Sequence, residues 1–173
     1  DAADWTGLDS LSRHLAAGIA ADRIVAEPFL LLACCDSPEL LLRAARHHTA
    51  TYEPERSADW PAVRVSREGR IRIGYVAGEF RNHAVAWLLT GMFERHDRSR
   101  FEVFAFDNAD GDDSPLRHRI EAALEIVPIR GLGLGAALEA VRSRHIDILV
   151  NLNGYSGAAR HDLFAARAAP LQV

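Results

Sequence analysis

The sequence contains no lysine: all 20 of its basic side chains are arginine. Chemistry that needs an amine, such as a Schiff base or the phosphate-gripping lysine of a P-loop, therefore has no residue to carry it here. Cysteine is almost as scarce. The only two, Cys34 and Cys35, are adjacent inside the apolar run Pro28 to Cys35, and neighbouring cysteines rarely form a useful bridge. They are expected to be small buried hydrophobes in a reducing compartment, the cytoplasm. That run is also the longest apolar stretch, far short of the ~20 residues that cross a bilayer, so no membrane association is expected. Positive charge is not in excess either: the net charge is −4 with no basic stripe, which argues against binding nucleic acid through a cationic face. With 12 Gly, 7 Pro and 49% hydrophobic residues, the composition excludes collagen-like and disordered chains.

What is present suits a globular fold. A length of 173 residues predicts one ordinary domain with room for an appendage. The opening DAADW has neither Met nor a signal-peptide pattern, so the chain is expected to be trimmed from something larger. From Trp5 to about Ala21, Leu8, Leu11, Leu15 and Ile19 recur at the period of an amphipathic helix. Asp36-Ser37-Pro38-Glu39 then supplies a polar cap and a first-turn proline, predicting a second helix through about Thr49. Tyr52 to Arg70 holds Pro54, Trp60 and Pro61 with no sustained period and reads as a linker.

From Ile71 the pattern changes to alternation of strands and helices. Strands are predicted at Ile71 to Ala77, Phe101 to Asp107, Leu124 to Ile129 and Ile146 to Leu152, with a further strand beginning in Ala169 to Val173. Helices are predicted at Val85 to Asp97, Ser114 to Ala123, Ala136 to Arg144 and Arg160 to Ala168. Consecutive apolar residues such as Ile148-Leu149-Val150 suit a parallel sheet covered on both faces. The fold class that follows is α/β, a Rossmann-like doubly wound parallel sheet preceded by a short helical segment. In such sheets ligands bind beyond the carboxyl ends of the strands. The loops Gly78–Ala84, Asn108–Ser114, Arg130–Gly135 and Asn153–Ala159 are therefore the places to look for chemistry.

Four constellations lie in those loops. Gly131-Leu132-Gly133-Leu134-Gly135-Ala136 matches a dinucleotide-binding fingerprint, but it follows the third strand, and Asp147 opens the next strand where the ribose-binding acid should close it; a turn is expected. Asp110-Gly111-Asp112-Asp113-Ser114-Pro115 resembles a cation loop, yet acidic residues before Ser-Pro are what a helix N-terminus favours, so no metal is expected. His14, His47, His48, His96, His118, His145 and His161 read as solvated surface, and Glu139 and Asp162 as helix-surface carboxylates. In the loop Gly78 to Val85, His83 stands at a helix N-terminus beyond a strand's carboxyl end. It reads either as a capping residue or as a donor and proton exchanger beside an anion, with Arg81 adding positive charge. Asn151 to Gly157 offers amides, glycines and hydroxyls suited to a sugar or peptide, or to a plain Asn-Gly turn.

Taken together, Arg70 to Leu89 (RIRIGYVAGEFRNHAVAWLL), Arg100 to Ile120, His145 to Val173 and the upstream EPFLLL and SPELLLRAA runs resemble the catalytic region of the O-linked N-acetylglucosamine transferase/SPINDLY family, in its N-terminal part. The resemblance implies an inverting, two-lobed GT-B glycosyltransferase. Such an enzyme moves a sugar, N-acetylglucosamine from UDP-GlcNAc or fucose from GDP-fucose, to Ser or Thr of an acceptor protein. It implies upstream tetratricopeptide repeats, a helical transition segment at 1–62, a Rossmann-like lobe at 63–173, and a missing C-terminal lobe whose lysine helps hold the diphosphate. This chain alone is then expected to be inactive.

Residue by residue, the resemblance assigns His83 to the family's active-site histidine and Glu79 to a position where animal members carry a catalytic Asp. Asn82, Asn153, Gly154 and Tyr155 take substrate-binding positions. Ala84 and Val85 replace the Pro and Thr of animal members and match the bacterial branch. Pro28-Phe29 stand where animal enzymes place a further histidine, Asn153 to Tyr155 matches the N-acetylglucosamine enzymes, and Ala168 replaces a usual Pro. A non-catalytic interaction module is the alternative reading, and a nucleotide-binding domain using the Gly131 loop a third.

Overall fold

A computed structural model describes residues 4–23, 25–52 and 69–173. The chain forms two compact units, Asp1–Glu53 and Pro54–Val173. The segment 53–68, which includes most of the expected linker and the expected domain boundary at 62/63, lies outside the described residues.

In the first unit, α1 (Leu8–Ala20), α2 (Pro28–Leu31) and α3 (Pro38–Ala50) enclose a small core of Ile19, Leu31 and Ala44, with Leu15, Val25, Cys34, Cys35 and Leu41 packed against it. Ser37 caps α3 as its sequence predicts: its Oγ accepts from the Leu40 N–H at 3.3 Å, an interaction worth ~1 kcal/mol. Asp22, in the left-handed region, joins the end of α1 to α3 through Arg43 (2.6 Å) and His47 (3.0 Å). The expectation of buried cysteines is corrected, because both are free thiols that are only half-buried. The apolar run turns as a helix there, so successive residues point about 100° apart. Pro28 and Leu31 face inward, while Phe29, Leu30 and Leu32 are exposed.

In the second unit β1 (Ile71–Ala77), β2 (Phe101–Asp107), β3 (Glu125–Pro128), β4 (Ile148–Asn151) and β5 (Leu171–Gln172) form one parallel sheet in the order β3-β2-β1-β4-β5. β1 and β2 pair along their full lengths, Ile71 opposite Phe101 and Ala77 opposite Asp107. Alternation along the strands divides the core into two layers. Ile73, Tyr75, Val103 and Ala105 pack with Ala86 and Phe93 of α4 (Ala84–Glu94) and with Leu116 and Ile120 of α5 (Pro115–Ala123). Val76, Phe104, Phe106 and Leu149 pack on the other face with Ala137 and Val141 of α6 (Leu134–Arg142) and Leu163 of α7 (His161–Ala165). Gly74 is needed within β1: a Cβ there would sit 2.6 Å from the Phe106 ring and 3.0 Å from Leu149.

The helices after β1 and β3 lead to opposite halves of the sheet, so the strand order reverses between β1 and β4. That is the topological switch point, where open α/β sheets take their ligands. Two readings of surface residues are corrected. His96, just beyond α4, is half-buried with Nε2 3.0 Å from the Tyr75 hydroxyl, because α4 ends at Glu94 and the chain turns the imidazole back over the sheet. Asp162 is not a free helix-surface carboxylate but the bidentate partner of buried Arg160, at 2.9 and 2.8 Å. Among the described residues no helix is long and apolar enough to cross a membrane, and no group of three or more His, Cys, Asp or Glu is arranged to hold a metal ion.

Candidate active site

At the switch point the loop after β1 (78–83) meets the loop after β4 (152–160). The approach is close: a Cβ on Gly78 would lie 2.7 Å from that of Ala158. Glu79 is buried, with a relative exposure of 7%, and is directed into this contact rather than outward. Its Oε2 accepts from its neighbour's amide, Gly78 N–H at 3.0 Å, and from Asn153 Nδ2 at 2.6 Å. Gly157, at φ 61°, packs so closely against Oε1 that a side chain at that position would collide with the carboxylate.

The loop after β4 is a tight turn built on Asn151, whose Oδ1 accepts from Asn153 N–H (3.0 Å) and Gly154 N–H (3.2 Å). Asn-type side chains stabilise turns in this way, and Gly154 supplies the positive φ of 55°. The Asn153 carbonyl accepts from the Ser156 hydroxyl at 2.8 Å. Tyr155 lies half-buried with its ring 5.2 Å from that of His161. Asn153 Oδ1 is buried and, among the described residues, accepts no hydrogen bond.

His83 is the N-cap of α4. Its Nδ1 accepts from Val85 N–H at 3.3 Å, which places the proton of the neutral ring on Nε2. The ring is exposed at the positive end of a helix. Asn82 beside it is held at both ends: its N–H donates to Asp112 Oδ2 (2.8 Å) and its Oδ1 accepts from Trp87 Nε1 (2.9 Å). Asp112 also receives the Ser114 hydroxyl at 2.7 Å. That bond first, and the Asn82 amide second, hold its carboxyl below the usual range. Asn108 Nδ2 donates to the Ala158 carbonyl at 2.9 Å, so the loops after β1, β2 and β4 are joined pairwise.

Under this surface lies an ion pair that sequence reasoning did not single out. Arg117 donates from Nη1 to Asp107 Oδ2 (2.5 Å) and to the Phe80 carbonyl (2.8 Å), and from Nε to Glu121 (2.7 Å). Burial works against its charge, but Asp107 and Glu121 outweigh this and raise its pKa. One signal was legible: an Asp directly after the apolar run Val103 to Phe106 needs a buried partner.

The structure thus brings Glu79 into direct contact with Asn153 and sets Gly154 and Tyr155 beside them. His83 and Asn82 stand at the other end of the 78–83 loop, bonded to α4 and to Asp112. The Gly131 loop follows β3, which is an edge strand away from the switch point. Space is open around Gly131, Gly133 and Gly135, so nothing requires a close backbone approach there. Asp147 precedes β4 and accepts from Arg72 N–H at 2.8 Å, far from any strand's carboxyl end. The Ser114 Oγ accepts from Arg117 N–H at 3.1 Å, which explains the acidic loop before it as a helix start.

Residues 46–173 match the model of glycosyl transferase family 41. The chain is 37% identical over 113 residues to the probable UDP-N-acetylglucosamine–peptide N-acetylglucosaminyltransferase SEC of Arabidopsis thaliana, covering 63% of this chain and 12% of that protein. It is 39% identical over 106 residues to the UDP-N-acetylglucosamine–peptide N-acetylglucosaminyltransferase of Caenorhabditis elegans, covering 60% and 9%. Among solved structures, a Lys-to-Met mutant of the Thermobaculum terrenum O-GlcNAc transferase superposes with a TM-score of 0.64 at 30% identity, over 93% of this chain and 30% of that one. The chain therefore spans about a tenth of the length of these curated relatives.

Proposed function

The chain belongs to glycosyl transferase family 41, and on that premise we propose that it supplies the N-terminal catalytic lobe of an enzyme that transfers N-acetylglucosamine from UDP-GlcNAc to Ser or Thr hydroxyls of proteins. The observation that carries this reading is the exposed imidazole of His83, held by Val85 at the N-terminus of α4 and at the sheet's switch point. The relatives' names support the choice of donor, and the general preference of open α/β sheets for ligands at the switch point supports its location.

In this reading the acceptor oxygen attacks the anomeric carbon in line, the bond to the UDP oxygen breaks, configuration inverts, and the acceptor's proton passes to the departing diphosphate. Because Nδ1 is occupied by the Val85 amide, neutral His83 presents Nε2–H. It acts as a hydrogen-bond donor to the sugar nucleotide or the acceptor, not as the group that removes the acceptor proton. Asn82, Gly154 and Tyr155 line the same edge and contact donor or acceptor. The leaving diphosphate needs positive charge or N–H donors; with no lysine in this chain, that stabilisation comes from a second lobe. A helical segment before the lobe, presenting the protein acceptor, completes the arrangement. A cytoplasmic setting is consistent with two free thiols.

The test uses the full-length protein that contains this chain. UDP-GlcNAc and GDP-fucose are compared by calorimetry and by donor hydrolysis, with and without His83→Ala. Turnover of UDP-GlcNAc, reduced about 10²-fold or more in the variant, is the expected result, a loss typical of removing one preorganised donor. Turnover of GDP-fucose alone would defeat the donor assignment, and full activity of the variant would remove His83 from the mechanism.

A further inference from the structure

Glu79 and Asn153 are 74 positions apart in sequence and form the shortest link between the two loops that frame the switch point. Three things about this link are unfavourable for stability taken alone. First, a buried carboxylate ordinarily has a cationic partner, whereas among the described residues Glu79 Oε2 receives only Gly78 N–H and Asn153 Nδ2. The buried arginines are committed elsewhere, Arg117 to Asp107 and Glu121 and Arg160 to Asp162. Second, Asn153, itself 7% exposed, gives its amide nitrogen to Glu79 and leaves Oδ1 buried without a donor, which is destabilising. Third, Gly157 must hold φ 61° with no room for a side chain against Oε1. Local costs of this kind concentrate at functional sites, where the geometry they enforce is what is retained.

We propose that Glu79 is a positioning residue: acting through Asn153, its carboxylate fixes the Asn153-Gly154-Tyr155 turn against the loop that carries His83, so that donor and acceptor meet a preset edge. This rests on the transfer reading above. Glu79 is directed into the loop contact: its Oε2 is filled by two donors, and Gly157 packs against Oε1. A shift of the turn by an ångström would misplace the groups on it, and misplacement of that size costs turnover rather than folding.

The experiment measures kcat and KM for hydrolysis of UDP-GlcNAc by the full-length protein across pH 6–9. Glu79→Ala and Asn153→Ala are each expected to lower kcat about 10²-fold, with the double variant no lower than either, since the two residues act as one unit. Glu79→Gln keeps an oxygen for Gly78 N–H and Asn153 Nδ2 but cannot take a proton. It is expected to restore kcat to within about tenfold of the unsubstituted protein, with the same pH profile. Asn153→Asp places two carboxylates at the 2.6 Å contact, where they must share a proton. Its kcat, relative to that of the unsubstituted protein, is expected to rise as pH falls, whereas that of Glu79→Gln is expected to keep a constant ratio.

A Glu79→Gln variant as damaged as Glu79→Ala, or alanine variants whose losses multiply, would overturn the positioning role. The near-isosteric Glu79→Gln keeps the question answerable if an alanine variant does not fold. An unsubstituted protein that turns over no UDP-GlcNAc would defeat the transfer reading and this proposal with it; turnover by the unsubstituted protein but not by Glu79→Gln would defeat the positioning role alone.

Discussion

The phenolic oxygen of Tyr75, at the centre of β1, lies 3.0 Å from Nε2 of His96, which follows the end of α4. The imidazole is packed against the rings of Tyr75 and Phe101. Burial first, and Arg98 second, lower its pKa from the ordinary 6.5. The folded state therefore holds this proton less readily than the unfolded state. The contribution to stability is complete above about pH 6.5 and is lost as pH falls below it towards the folded-state value. The melting temperature of the chain should drop between pH 7 and 5 by more than that of His96→Gln, measured by calorimetry in matched buffers. Equal slopes would show that His96 titrates as if solvated.

Arg117 should be among the costliest residues to remove from the second unit. Arg117→Ala leaves Asp107, which is 3% exposed, as a buried unpaired charge. A loss of about 3–5 kcal/mol is expected by denaturant titration. Arg117→Met combined with Asp107→Asn should recover much of that, because the pair's desolvation cost disappears along with its attraction.

Gly74→Ala would drive a methyl group into the Phe106 ring. A destabilisation of about 1–3 kcal/mol is expected from overpacking. Adding Phe106→Leu should relieve part of it, and additivity of the two changes would exclude the contact as the cause.

At His83, capping and chemistry can be separated. Serine is a good N-cap, so His83→Ser should leave the melting temperature within about a degree or two. It should also reduce UDP-GlcNAc turnover by the full-length protein about 10²-fold. A loss of turnover matched by a loss of stability would assign His83 to the helix alone.

The isolated 173-residue polypeptide should fold, showing a cooperative transition for the sheet, yet give no UDP-GlcNAc turnover and no measurable heat of donor binding. Turnover by this polypeptide would mean that no opposing lobe is needed.

Much of the architecture was legible because its signals are local. β1 and β2 run as their apolar stretches predict, 71–77 and 101–107, and Ser37 and Ser114 mark helix starts through their own side chains. α7 stops at Ala165, short of the predicted Ala168, where Arg167 takes a positive φ of 50°; nothing in the alanine-rich sequence announces that break. Among site residues, His83 was placed correctly at a helix N-terminus because strand, loop and helix follow one another in sequence. Glu79 was harder. The resemblance alone assigned it a role, and its inward course depends on Asn153, 74 positions later. Arg117 and Arg160 were passed over for another reason: their carboxylates lie nearby in sequence, but in a chain whose Lys and Arg are all arginine the buried pairs look like solvated ones until the fold covers them.

The cross-loop bonds Asn82 to Asp112, Asn108 to Ala158 and Asn153 to Glu79 have a dynamic consequence. Each loop is bonded to a neighbour as well as to its own strand, so none can swing away without releasing a bond to another. The rim should open to solvent as one cooperative unit, with the amides of Gly78 and Asn82 exchanging their hydrogens in the same event. For a ligand arriving from the open side, the edge it meets behaves as a single rigid lip.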